Sequence, residues 1–182
     1  MKDVMYRRRS IRSYTGEPVS REQIEEILEA GLLAPTGRNL YPWQFVVVDD
    51  RETLQELGRS KAGGSSFLAD AALAIVVVAD EEVTDVWVED ASIAATFMML
   101  QAESLGLGNC WVQSRLRFAD KEGTVSSEEV VRRALGIPEN LRVDCILSIG
   151  HRSEDRPAKT PEDLQWNKVH ANRYGAAWKE QA

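Results

Sequence analysis

The chain has 182 residues, of which 43% are hydrophobic and 28% charged, as is typical of a soluble globular domain. Its net charge of −7 disfavours nucleic acid as a partner. The longest apolar stretch, residues 71–79, is far shorter than the roughly 20 residues that span a bilayer. Because the N-terminus also lacks an apolar signal core, we expect a cytoplasmic protein without a membrane partner.

The two cysteines and two histidines of the chain show no metal-ligand spacing, so no metal site is expected. We find no repeat and no linker that would divide the chain, and therefore expect a single domain over residues 1–182.

The first predicted helix starts at a capping box formed by Ser20 and Gln23. Pro35 terminates it, and residues 34–39 follow as a loop. The apolar stripe of this helix consists of Ile24, Ile27, Leu28 and Leu32.

The remaining elements alternate between strands and helices. Predicted strands cover residues 43–48, 73–79, 109–113 and 141–149, and predicted helices cover about 51–57, 84–105 and 127–135. By itself, this alternation suggests a parallel doubly wound sheet, although no strand is followed by a glycine-rich phosphate-binding motif. The small residues in the middle of the longest helix fit either dense core packing or a dimer interface.

The last part of the chain changes character at residue 151. Residues 151–163 are almost wholly polar, and an aromatic-rich tail follows that contains Trp166, Tyr174 and Trp178. This pattern predicts a C-terminal arm that packs away from the preceding strand.

Five of the first twelve residues are basic, although the protein is acidic overall. One interpretation is a solvated or frayed terminus. The other is an anion site, because Arg8, Ser10 and Arg12 alternate and would point to one side of an extended segment. A phosphate is the obvious anion.

Two further regions offer polar groups for a ligand. The loop after the first helix presents backbone N–H groups and the Asn39 amide, which suit a planar heterocycle, but it is also explained as a plain connection. Arg156 and Lys159 are either solvated charges or additional ligands of the same anion.

Taken in order, several motifs resemble those of the FMN-dependent nitroreductase family. The two N-terminal motifs are RRSIRSY at residues 8–14 and APTGRNLYPWQF at residues 34–45. The resemblance continues through GLGNCW at 106–111, LGIP at 135–138 and KVHANRY at 168–174, so it covers nearly the whole chain.

The resemblance implies an α+β fold with a largely antiparallel sheet flanked by helices. It implies a homodimer with FMN at the interface and a C-terminal arm, about residues 151–182, exchanged with the partner. NADH or NADPH would give a hydride to flavin N5, which would pass it to an electron-poor acceptor such as a nitroaromatic or quinone in a ping-pong cycle. A flavin-binding sensor or carrier and a reductive dehalogenase remain alternatives.

The resemblance also assigns roles to residues. Arg8 and Ser10, with Arg9 between them, match positions at the ribityl phosphate, and Arg12 matches one at the pyrimidine edge. Four residues match the loop that covers the ring from the other subunit: Pro35, Thr36, Gly37 and Asn39. Arg156 and Lys159 match late basic residues that close over the phosphate.

The chain departs from the family after the third strand, where many members have a glycine-containing motif near flavin N5. Here a backbone donor from Gln113 or Ser114 takes that role in our prediction. Arg115 and Arg117 follow, either as solvated surface or as selectors of an anionic substrate. Since the chemistry belongs to the flavin, no catalytic acid or base is assigned.

Overall fold

A four-stranded sheet lies at the centre of the protein in the computed structural model, which describes residues 1–178. The last four residues of the predicted arm, 179–182, lie outside the described part. The strands are β1 (Trp43–Val48), β2 (Leu73–Asp80), β3 (Gly108–Gln113) and β4 (Leu141–Gly150). The helices are α1 (Lys2–Arg7), α2 (Arg21–Leu32), α3 (Arg51–Gly58), α4 (Trp87–Ser104) and α5 (Ser127–Leu135). Short 3-10 turns cover Gly37–Asn39, Ser66–Asp70, Pro161–Asp163 and Trp166–Lys168.

Local sequence signals account for most helix ends. The predicted capping box is confirmed: the Ser20 hydroxyl accepts from the Gln23 N–H at 3.2 Å, and the Gln23 side chain accepts from the Ser20 N–H. Helix α5 starts after the Ser126 cap and ends at Gly136, whose φ of 63° suits a residue without Cβ. Helix α4 starts at Trp87, three residues later than predicted, after turns at 81–86.

The strand order is β1-β2-β4-β3, and every neighbouring pair is antiparallel. The antiparallel sheet implied by the resemblance is confirmed, and the parallel sheet suggested by the alternation is wrong. The alternation misleads because β4, the last strand, is inserted between β2 and β3. Helix α4 does join two strands that run in the same direction, but these strands are not neighbours.

Helices cover both faces of the sheet. Helix α4, with α2 packed against it, covers one face through Ile75, Val77 and Leu147. Helices α3 and α5 cover the other face, where Leu57 and Val131 meet Val76. Both faces are buried because the strand residues are apolar on both sides.

The N-terminus is ordered, which corrects the interpretation of a frayed end. Residues 2–7 form α1, in which Asp3 and Arg7 pair at 2.8 Å. The chain then runs extended along β3: the Ile11 N–H donates to the Asn109 carbonyl at 3.0 Å, and Ser10 forms a parallel bridge with Asn109. Helix α1 was not predicted because it is only six residues long.

Gly108 permits the close approach of this extended segment. A Cβ at position 108 would lie 2.8 Å from Ile11 Cγ2, and Ile11 is fully buried. We therefore expect Gly108→Ala to lower the free energy of unfolding by about 1–3 kcal/mol through overpacking. Urea unfolding measures the change, and an unaltered midpoint would contradict this close packing. Gly63→Ala is the control, expected within about 0.5 kcal/mol, since its Cβ would meet open space.

No helix within residues 1–178 combines the length and hydropathy required to cross a membrane.

Candidate functional site

Four polar side chains lie near Cys110 at the β3 edge of the sheet. Three are cations, Arg8, Arg12 and Lys61, and the fourth is Ser10, whose side chain is hydrogen-bonded to the Cys110 thiol. We call Arg8, Arg12 and Lys61 the cationic cluster. The extended segment brings Arg8, Ser10 and Arg12 to one side, as their alternation predicts.

Cys110 marks the position of the cluster. It is 1% exposed, and this burial raises the pKa of its thiol. The positive charges of Arg12, Arg8 and Lys61 and the hydrogen bond with Ser10 act in the opposite direction. The thiol is therefore neutral at physiological pH. It lies buried beneath the positively charged side chains.

The three cations have no acidic partner in the part of the chain that the structure describes. The salt bridges of residues 1–178 involve other basic residues. The Arg12 guanidinium lies 5.8 Å from the centre of the Phe67 ring. In an acidic protein, like charges without counterions predict an anionic ligand.

Sequence reasoning did not assign a role to Lys61. It follows α3, about fifty positions after Arg12, in a loop of small residues. Burial, followed by the nearby charge of Arg117, lowers the pKa of Lys61. The available signal was a single lysine in a segment otherwise rich in Gly, Ala and Ser.

The Pro35–Asn39 loop lies near the start of α4, beside Asp90. The Gly37 N–H donates to Asp90 Oδ1 at 2.9 Å, and Asp90 is 3% exposed. Arg38, Asn39 and Tyr41 have φ values of 53°, 55° and 48°, which are uncommon for residues other than glycine. Backbone strain of this kind is often found at ligand sites.

Within one chain, this loop is held by α4, which covers the other face of the sheet from the cationic cluster. Thr36 and Gly37 are half-buried, and Asn39 is exposed. The structure therefore brings together Arg8, Ser10 and Arg12 but leaves the predicted ring-covering loop apart from them.

The late basic residues run beside the N-terminal segment. The Lys159 N–H donates to the Tyr6 carbonyl at 2.8 Å, and the Arg9 guanidinium donates to the Pro157 carbonyl. Arg156 contacts Glu154, and Lys159 contacts Asp163. In the single chain, these side chains are thus paired with carboxylates at the surface.

Gln113 and Ser114 differ in whether their backbone N–H is free to donate a hydrogen bond to a ligand. Ser114 is fully buried; its N–H donates to the Asp144 carbonyl at 3.3 Å, and its hydroxyl bonds the Ser127 hydroxyl. The Gln113 side chain accepts from the Trp111 indole N–H. Both donors of Ser114 are engaged within the fold. Of the two predicted backbone donors near flavin N5, Gln113 is therefore the one that remains a candidate.

An apolar groove of about 310 Å³ lies between α1, α2 and α4. Its lining residues are Met1, Val4, Ala30, Leu33, Phe97, Leu100, Gln101 and Ser104. The tail also exposes large apolar side chains: Tyr174 is 92% exposed and Trp178 is 57% exposed. Surfaces of this kind mark interaction sites.

The protein thus has an α+β fold with a cationic cluster at the edge of an antiparallel sheet. The family model described as "Nitroreductase family" matches residues 5–64 and 52–151. The chain belongs to the nitroreductase family, as its motifs predict.

Relatives and solved structures agree with this assignment. An FMN-dependent nitroreductase from Clostridium difficile R20291 has a TM-score of 0.92 and 44% identity, with 96% of this chain and 100% of that chain covered. The chain is 30% identical to the NADPH-flavin oxidoreductase of Vibrio harveyi, covering 91% of this chain and 71% of that protein. It is 31% identical to the FMN reductase [NAD(P)H] of Bacillus subtilis, with the same coverage.

Proposed function

We propose that this protein is an FMN-dependent oxidoreductase that uses NADH or NADPH to reduce an electron-poor acceptor such as a nitroaromatic or a quinone. The observation that carries the proposal is the cationic cluster on the β3 edge, which has no acidic partner within residues 1–178. The names of relatives that cover most of the chain, an FMN-dependent nitroreductase and an FMN reductase, support the cofactor and the reaction class.

The residues of the cluster fit the chemistry of FMN. Arg8 and Ser10 provide a guanidinium and a hydroxyl for the ribityl phosphate, a pairing suited to a dianion. Arg12, held against Phe67, provides a positive charge for the pyrimidine edge of the ring, and Lys61 adds a further donor. FMN, when bound, supplies the hydride chemistry. The protein binds and orients it, and its charges stabilise negative charge that develops there.

The proposed assembly is a homodimer of a single FMN-binding domain, residues 1–182. In this assembly the Pro35–Asn39 loop of one subunit reaches the cationic cluster of the other. The apolar groove and the exposed tail are covered by the second copy, which explains why Phe97 and Tyr174 are exposed in one chain. Arg156 and Lys159 then lie close to the phosphate, since their backbone runs beside residues 6–9.

An anaerobic titration of the purified protein with NADH and then NADPH tests the function. We expect the protein to bind FMN and its visible absorbance to bleach with at least one of the two nucleotides. Addition of a quinone should restore the absorbance. Flavin that stays oxidised would support a sensor or carrier instead, and failure to bind added FMN would exclude the proposal.

A further inference from the structure

The turn after β3 fixes Arg117 at the surface. Its N–H donates to the Ser114 carbonyl at 3.0 Å, and its carbonyl accepts from the Ser127 N–H, at the start of α5, at 2.8 Å. The next residue, Phe118, accepts from the Ala62 N–H at 3.0 Å. The backbone of residues 117–118 is thus hydrogen-bonded to the start of α5 through Arg117 and to the loop that contains Lys61 through Phe118.

Arg117 extends the cationic cluster outward. It is exposed, and its charge lies close enough to Lys61 to help lower the pKa of that lysine. Its guanidinium donates to the adjacent Leu116 carbonyl at 2.9 Å, and within residues 1–178 it forms no salt bridge. The nearest acidic residue in sequence, Asp120, accepts hydrogen bonds from Thr124 and Val125 in its own loop.

Arg115 and Arg117 have different surroundings. The Arg115 guanidinium lies 5.6 Å from the centre of the Trp87 ring and near the Asp144 carboxylate. Arg115 is therefore satisfied by packing and by a nearby negative charge. Arg117, by contrast, is exposed beside the cationic cluster and has neither an aromatic ring nor a carboxylate recorded as its partner within residues 1–178.

The neighbours of Arg117 are apolar and exposed. Leu116 is 71% exposed with a φ of 58°, and Phe118 is 49% exposed. A left-handed leucine is uncommon, and the hydrogen bonds of the turn hold it in that conformation. The rim of the site therefore presents a guanidinium without a salt bridge within residues 1–178, between two exposed apolar side chains.

We propose that residues 116–118 select electron acceptors that have an anionic group on an aromatic ring, with Arg117 binding the anion and Leu116 and Phe118 contacting the ring. This inference rests on the proposed function and names the acceptor class of the same site. The proposal is that Arg117 binds the acceptor. Because the additional phosphate of NADPH is another anion that Arg117 could bind, the test must distinguish an effect on the acceptor from an effect on NADPH.

The test compares 4-nitrobenzoate with 4-nitrobenzamide as acceptors of the FMN-loaded enzyme. We expect Arg117→Ala to lower kcat/KM for the benzoate about three- to tenfold through KM, and to leave the benzamide unchanged. The benzoate advantage should shrink as ionic strength rises. Equal effects on both acceptors, or a change confined to NADPH relative to NADH, would overturn the proposal.

Arg21→Ala is the matched control. Arg21 is an exposed arginine at the start of α2, a helix packed on the opposite face of the sheet, and its loss changes the net charge equally. The control should retain the preference for the benzoate. Light scattering should show the same assembly for both variants. Dissociation of Arg117→Ala without a change in acceptor preference would make the turn an interface instead.

Binding provides a readout that does not depend on turnover. Benzoate should perturb the flavin absorbance of the oxidised wild-type enzyme at lower concentration than benzamide does, and Arg117→Ala should remove the difference. If NADH and NADPH fail to reduce the wild-type flavin, the proposed function fails. The comparison of benzoate and benzamide binding then tests the role of Arg117 without the kinetic data. If the flavin is reduced but benzoate and benzamide bind equally, only the inference fails.

Discussion

Replacing Arg8 with alanine is expected to weaken FMN binding by about 1.5–3 kcal/mol, roughly ten- to 150-fold in Kd, the usual value of a hydrogen bond to a charged group. The reason is that Arg8 belongs to the cationic cluster and has no acidic partner within residues 1–178, so its guanidinium is available to the phosphate. Quenching of FMN fluorescence on titration with the apoprotein measures the change.

Two variants make this result specific. Arg8→Lys keeps the charge but loses the planar fork, and it should fall between the wild type and the alanine variant. Arg21→Ala removes a distant positive charge and should leave Kd unchanged. An Arg8→Ala protein that binds FMN as tightly as the wild type would remove Arg8 from the site.

Ending the chain at Glu162 is expected to convert the proposed dimer into a monomer with a large loss of FMN affinity. The backbone N–H groups of residues 166–178 that form hydrogen bonds with other backbone groups donate to carbonyls of residues 164–176, while Tyr174 and Trp178 are exposed. Exposed aromatic side chains of this kind mark interaction sites, and in the proposed assembly the partner covers them. Light scattering measures the mass, and the flavin absorbance measures retained FMN.

The truncated chain should still fold, since the four strands and five helices found within residues 1–178 all lie between residues 2 and 150. Its far-UV circular dichroism and its urea midpoint would separate loss of the dimer from loss of the fold. A full-length Tyr174→Ala, Trp178→Ala double variant should weaken the dimer in the same direction. A stable, FMN-loaded dimer of the truncated chain would contradict the exchanged arm.

Most elements could be predicted because their signals are local. The capping box at Ser20, the proline at 35 and the continuous apolar run of β2 each determine an element within a few residues. Strand order could not be predicted from alternation, because the insertion of β4 between β2 and β3 depends on pairing between distant segments. The resemblance to a known family supplied the antiparallel sheet.

The site shows the same division between local and distant information. Alternation predicts that Arg8, Ser10 and Arg12 face one side, and the structure agrees. Lys61 reaches the same place from a loop about fifty residues later, and no local pattern indicates it. The residues near Gln113 also depend on tertiary structure, because the buried Asp144 carbonyl engages the Ser114 N–H.

The position of β4 also determines the order in which the protein can assemble during synthesis. Strands β1 and β2 are close in sequence and can pair early, but β3 has no neighbour in the sheet until β4 emerges. Leu73 of β2 can pair with Ile149 of β4 only after β4 has been synthesised. The segment around Ser10 is synthesised first, but it pairs with β3, which comes about a hundred residues later. Such long-range contacts slow folding. The nascent chain is therefore expected to complete the edge that carries the cationic cluster only after residue 150 has left the ribosome.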